Sequence, residues 1–349
     1  MENLIKLLKE FQIPEKEYSF EVISNGFIND TYLVKENKEP TYIFQRININ
    51  VFANYKALIR NLDLVLPLLK SETYSEVVLC KTKDRKSFFQ SEKSEIWRLM
   101  TFIKDSVVYN TTKNPGIAFE AGRIIAQFHK LTEGFDTNEL QDTLPGFHDI
   151  SLRYDQFKNA LKNADTDKIE TSKNAITFVK DNISFLLNID YSKLPLRVCH
   201  NDTKLNNILF SKEDKALCLI DLDTIMKGVF IYDFGDAIRT IANAAPEDEK
   251  ELDKINFNLD LFEAFVKGLA TEKDLFVEEE KKMMPRGVVL MPFLHGIRAL
   301  TDYLENNRYY KVAYETQNLD RCFSLFQFAQ LALDNQNTMS NIIQDKLKN

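Results

Sequence analysis

Two short β-type runs in the second half of the chain, Leu196 to His200 and Ala216 to Asp221, each end in a polar cluster. The first reads on as Asn201-Asp202-Thr203-Lys204-Leu205-Asn206-Asn207. The second closes on Asp221-Leu222-Asp223, and the turn Ser211 to Lys215 lies between them. This layout can set one carboxylate, Asp202, near an acceptor hydroxyl, and an Asn207–Asp221 pair on a hard divalent cation. Phosphoryl transfer asks little covalent chemistry of a protein, but it needs the triphosphate's charge offset and the attacking oxygen held in line. Mg²⁺ takes oxygen ligands and keeps several waters, so one amide oxygen and one carboxylate suffice. On this reading Asp202 is the base, Asn207 and Asp221 are the metal ligands, and His200 packs and hydrogen-bonds to hold the loop. Asp223 has two readings, a second metal or water ligand and a solvated turn acid.

Charge narrows the partners. Of 349 residues, 45 are Lys or Arg and 52 are Asp or Glu, a net charge of -7. That balance disfavours a nucleic-acid footprint or a polybasic membrane face and leaves small-molecule chemistry. The four cysteines, Cys80, Cys199, Cys218 and Cys322, are scattered without metal-ligand spacing and read as thiols in a reducing compartment. The first residues form an amphipathic helix pattern, and no apolar run approaches roughly 18 residues. A cytoplasmic protein without membrane or nucleic-acid partners is expected.

Periodicity divides the chain. Ser19 to Ile23, Asp30 to Lys35 and Thr41 to Arg46 read as consecutive antiparallel strands, Asn54 to Leu69 as a helix, and Glu76 to Thr82, Ser87 to Gln90 and Glu95 to Ile103 as further β-type runs. Beyond about Lys104 helical spacing takes over, as at Ile117 to Leu131 and Leu319 to Leu333, with only the two β-type runs above interrupting it. The expectation is an α+β chain of two parts, 1–103 and 104–349. Trp97 is expected to pack between them, and the charge runs Glu278 to Lys282 and Pro246 to Glu251 to be solvated.

His200-x-Asp202-x-x-x-x-Asn207 resembles the catalytic loop of the superfamily of protein kinases and aminoglycoside phosphotransferases. Ile220-Asp221, Gly228 and Asp233 match the second signature of its phosphotransferase branch. No Asp-Phe-Gly stands at Asp221, where the chain reads Asp-Leu-Asp, and no Ala-Pro-Glu closes an activation segment there, which sets protein kinases aside. Further segments resemble the N-acetylhexosamine 1-kinases: Ser24 to Tyr32, Phe44 to Asn48, Pro145 to Asp149, Leu219 to Met226, and Tyr232 to Asp236. The resemblance implies a two-lobed protein-kinase-like fold, with a small antiparallel-sheet N-lobe for the nucleotide and a larger, mainly helical C-lobe. It also implies ATP, Mg²⁺ and a small-molecule sugar, phosphorylated at its anomeric hydroxyl.

By the same resemblance the turn holding Gly26 and Asn29 stands where kinases carry a Gly-rich loop, although it also reads as an ordinary hairpin. Arg46 stands in place of the phosphate-binding lysine or is a surface strand residue. Phe102, within the segment Met100 to Ile103, lies at the adenine hinge, and Lys204 sits where Ser/Thr kinases carry a lysine. In the helical pattern Val288 to Leu304, His295, Arg298 and Asp302 share one face. Arg298 and Asp302 are the substrate candidates, against a plain surface ion pair. The rival readings are transfer to another small alcohol (an aminoglycoside, choline or a different sugar), a catalytically silent nucleotide-binding protein, and a metal-dependent hydrolase.

Overall fold

The computed structural model describes residues 2–23 and 28–348. Helix α1 (Glu2–Leu8) precedes three strands, β1 (Tyr18–Ile23), β2 (Asp30–Glu36) and β3 (Glu39–Ile47), then α2 (Tyr55–Val65), β4 (Phe89–Gln90) and β5 (Ile96–Thr101). These strands form one antiparallel sheet in the order β1-β2-β3-β5-β4, with Asp30 opposite Arg46 and Arg46 opposite Trp97. The expected strand over Glu76 to Thr82 is instead an irregular edge. Cys80 N donates to Leu99 O at 2.8 Å and Thr101 N to Val78 O at 3.0 Å, but the pairing amounts to isolated bridges.

Both faces of this sheet are apolar, and that determines where its polar residues go. Phe44, Trp97, Val34 and Leu99 pack with Leu7, Leu8 and Phe11 of the N-terminal segment on one face. Ile47 and Ile96 belong to the main core. Trp97 stacks on Phe44 with ring centroids 4.7 Å apart, so it packs within the small lobe rather than between lobes.

The larger lobe contains β6 (Ser106–Val107), α3 (Pro115–Leu131), α4 (Ile150–Asn163), α5 (Thr166–Thr171) and α6 (Lys173–Leu187), followed by β7 (Arg197–Cys199), β8 (Ile208–Ser211), β9 (Ala216–Leu219) and β10 (Met226–Gly228). It is completed by α7 (Phe230–Ile241), α8 (Leu259–Leu269), α9 (Glu278–Leu304), α10 (Gln317–Asp334) and α11 (Gln336–Lys346). The result is two-lobed, a small antiparallel sheet joined to a mainly helical body, as in protein kinases. Two small sheets, β10-β7 and β6-β8-β9, sit where the lobes meet. Asn114 and Asp149 cap α3 and α4 by accepting from backbone N–H groups of the first turn.

Helices α7 and α9 touch backbone to backbone. A Cβ on Gly235 would fall 2.1 Å from Gly287 O, so only glycine permits this approach. The charge runs are not simply solvated. Glu280 is buried and takes both its carboxylate oxygens to Arg197 at 2.7 Å, while Glu247 pairs with Arg239 and Arg321. No described helix is long and apolar enough to cross a membrane.

Candidate active site

β7 carries the chain to His200, and the next residue turns it. Asn201 adopts the left-handed conformation at φ 63°, which Asn tolerates better than most residues. Its Nδ2 donates to Cys199 O and Thr224 O at 3.1 and 3.0 Å, tying β7 to the loop before β10. Gly228 leaves room for this contact, since a Cβ there would sit 3.3 Å from Asn201 Oδ1.

His200 locks the two motifs together. Its Nδ1 accepts from Asp202 N at 3.2 Å and its Nε2 lies 2.8 Å from Ile220 O, an arrangement that assigns a neutral ring with the proton on Nε2. Ile220 N in turn donates to Asn207 O at 2.9 Å. The expected holding role for His200 therefore has a geometry.

Asp202, Asn207 and Lys204 come together. Asn207 Nδ2 donates to both Asp202 O and Asp202 Oδ2 at 2.8 Å, and Lys204 Nζ lies 3.0 Å from Asp202 Oδ2. Burial works against the Lys204 charge, but Asp202 and Asp221 outweigh it and raise its pKa. Asp221 begins a short turn in the left-handed conformation, φ 59° and ψ 52°. Its side chain reaches solvent, but partial desolvation by the surrounding protein, then the charges of Asp223 and Asp202, push its carboxyl up to about 6.

These residues fit a hard cation. Asn207 spends its N–H groups on Asp202 and keeps its carbonyl oxygen, and the Asp221 carboxylate accepts no hydrogen bond among the described residues. No cluster of three or more His, Cys, Asp or Glu suited to a metal occurs among them. The donor set is therefore two oxygens, which suits an ion such as Mg²⁺ that is also held by phosphates and water.

Asp223 is not the solvated turn acid of one of its two expectations. It is 3% exposed, ion-pairs with Arg98 of β5, and accepts from Asn29 Nδ2 at 2.7 Å. Sequence reasoning missed Arg98. It selected Arg46, whose side chain points to the opposite face of the sheet and pairs with Asp30 and Glu95. The residue facing Arg98 on β3 is Gln45, whose Oε1 accepts from Arg98 Nε and Nη2 at 3.0 and 2.7 Å. Gly26 lies outside the described residues. Phe102 follows β5 and donates its N–H to Thr41 O at 3.0 Å.

Next to the loop of Asn201, His148 Nε2 meets Asn201 O at 3.0 Å, and a cavity of about 460 Å³ opens among Phe147, His148, Asp149, Tyr191 and Tyr232. Arg298 approaches the Phe147 ring at 5.5 Å and the Tyr310 ring at 6.0 Å, and no carboxylate pairs with it among the described residues. Asp302 is not its partner. It is buried, accepting from Tyr309 N, Tyr310 N and Asn318 Nδ2 at 2.7 to 2.9 Å, and so clamps a loop rather than facing a ligand. Below, Asp236 accepts from Arg239 Nε at 2.6 Å and lies 3.4 Å from His295 Nε2.

The family model described as "Phosphotransferase enzyme family" matches residues 19–263. Among solved structures, a choline kinase from Cryptosporidium parvum Iowa II is similar at a TM-score of 0.63 and 14% identity, over 100% of this chain and 99% of that one. A microcompartment-associated aminopropanol kinase follows at 0.61 and 14%, over 97% and 98%. A spectinomycin phosphotransferase gives 0.58 and 14%, over 95% and 98%. At such identities the likeness is one of fold.

Proposed function

Because the chain belongs to the phosphotransferase enzyme family, we propose that it moves the terminal phosphoryl group of ATP to a hydroxyl of a small alcohol, with Asp202 as the base. The observation that carries this reading is the double hydrogen bond from Asn207 Nδ2 to Asp202, which puts the candidate base and a candidate metal ligand on one turn. Asp202 orients the acceptor hydroxyl and takes its proton as the P–O bond forms. Lys204, 3.0 Å from Asp202, offsets carboxylate charge at the same place. Asn207 and Asp221 would hold Mg²⁺, which supplies charge to offset that of the triphosphate.

The acceptor is the finer question. Similar structures belong to a choline kinase, an aminopropanol kinase and a spectinomycin phosphotransferase, and the motif resemblance points to N-acetylhexosamines. The Arg298 guanidinium, 5.5 Å from the Phe147 ring and without a carboxylate partner among the described residues, favours a neutral, polyhydroxylated acceptor over a cation. The test is ADP release with Mg²⁺-ATP over GlcNAc, GalNAc, glucose, galactose, choline, aminopropanol and spectinomycin, with Asp202→Asn as control. Turnover on neutral sugars that the variant loses supports the reading. Turnover confined to the amines would move the acceptor assignment, and phosphate release without any acceptor would make the protein a hydrolase.

A further inference from the structure

The cavity beside Asn201 stands apart from the residues of phosphotransfer. His148, Asp149, Tyr191, Lys227 and Tyr232 line it, whereas Asp202, Asn207, Asp221 and Arg298 do not. Its volume of about 460 Å³ lies in the range of small-molecule sites, roughly 300–1,000 Å³. Rings follow one another along its lining. Phe147 and His148 have centroids 4.4 Å apart, His148 and Tyr232 5.0 Å, and Tyr232 and Tyr191 6.0 Å, each ring tilted by 40 to 54° to the next.

The polar groups decide what can enter. His148 is buried, and its Nε2 faces the Asn201 carbonyl at 3.0 Å, so the proton sits on Nε2 and Nδ1 is a bare acceptor. Nδ1 has no partner among the described residues. A buried acceptor without a donor is costly, and it marks a place where a ligand or water supplies one. Asp149 spends Oδ1 on Ser151 N and Leu152 N at the start of α4, and no hydrogen bond among the described residues falls on Oδ2. Lys227 of β10 is exposed and pairs with no carboxylate among the described residues. An organic cation would meet Lys227, and an anion would meet Asp142 and Asp149. Hydroxyls can serve both kinds of group, donating to His148 Nδ1 and Asp149 and accepting from Lys227. The C–H face of a pyranose, slightly positive, suits the negative face of an aromatic ring.

We propose that this cavity is a second saccharide site, holding a pyranose that is not phosphorylated while the acceptor lies at Arg298. Phe147 is the shared wall, since it lines the cavity and its ring lies 5.5 Å from the Arg298 guanidinium. A hydroxyl on His148 would bear on the carbonyl of Asn201, the residue before Asp202. Only the occupant's being unreactive rests on the phosphotransfer reading above; its chemical class follows from the lining.

Met226 also lines the cavity and supplies a local probe. With methionine methyls isotope-labelled and the Met226 NMR signal assigned through Met226→Leu, the chain is titrated without ATP with GlcNAc, GalNAc, glucose and galactose, and with choline as the cation. At least one sugar should shift the Met226 signal saturably, and choline should not. Tyr191→Ala and Lys227→Ala should each weaken that binding about fivefold or more, and Arg298→Gln should leave it unchanged. A signal that no sugar moves, or that choline moves and sugars do not, overturns the proposal. So does equal weakening by Arg298→Gln, which would make the cavity part of the acceptor pocket. Because Lys227 is exposed, Lys227→Ala decides the matter should Tyr191→Ala not fold. Sugar binding at Met226 without turnover on any acceptor would remove the phosphotransfer reading and leave this site standing.

Discussion

Asp233 Oδ1 accepts a 2.7 Å hydrogen bond from the backbone N–H of Asn201, one residue before Asp202. The second oxygen accepts from His200 N at 2.9 Å and meets His129 Nε2 at 3.0 Å, and Asp233 has no exposure to solvent. A carboxylate on α7 thus sets the turn that presents Asp202. Asp233→Asn replaces one acceptor with an NH₂ group that faces donors. The expected loss is about 2–4 kcal/mol of stability, together with a fall in kcat that exceeds any change in the KM for ATP. Urea unfolding and steady-state kinetics check both, and an unchanged kcat would separate Asp233 from the positioning of Asp202.

Gly235→Ala should be costly without touching the site. The new Cβ would lie 2.1 Å from Gly287 O, a backbone atom that cannot rotate away, so α7 and α9 must part. Overpacking of this kind costs about 1–3 kcal/mol, and the upper end is expected here. Thermal unfolding reads it, and a melting temperature equal to that of the unaltered protein would contradict the close helix contact.

Acid should weaken the fold through two histidines. Burial first pushes His148 and His295 down to about 4, followed by the charge of His295 on His148 and of Arg239 on His295, with a smaller push from Arg298 on both. Asp236 pulls both the other way. A free imidazole titrates near 6.5, so between these values the unfolded chain binds protons that the native chain does not. The stability they contribute is complete above about pH 6.5 and is lost as pH falls through about 4. The urea midpoint should drop between pH 7 and pH 4.5, and His148→Asn with His295→Asn should flatten that slope.

Arg298→Gln should act on the acceptor alone. Its guanidinium contacts two rings and no carboxylate among the described residues, so its removal leaves no orphaned buried acid. The KM for the acceptor is expected to rise about tenfold, with the KM for ATP and the melting temperature nearly unchanged. Equal effects on both substrates would place Arg298 outside the acceptor pocket.

Local order made part of the site legible. His200, Asp202 and Asn207 sit within one loop, and Asp221 ends the next strand, so short β-type runs predict their meeting. Arg98 and Asp223 are 125 residues apart, and nothing local links them. Arg46 and Gln45 were separable only by pleat parity, and parity was ambiguous because Phe44 and Ile47 are both buried on opposite faces. The helix stripe of Arg298 and Asp302 was correct in spacing. What it could not contain was the returning loop at Tyr309 and Tyr310, whose backbone claims Asp302. The run Glu278 to Lys282 looked solvated because its partner, Arg197, lies in a distant strand.

Asp221 bears two separate costs. It holds a left-handed backbone without being glycine, and it sits among other carboxylates. Replacing it with glycine would relieve both and forfeit only its attraction to Lys204. A search for heat-resistant variants of this chain would therefore be drawn early to position 221, and its winners would outlast the parent while having lost the carboxylate proposed to hold the metal. Resistance to heat and retention of turnover would have to be selected together.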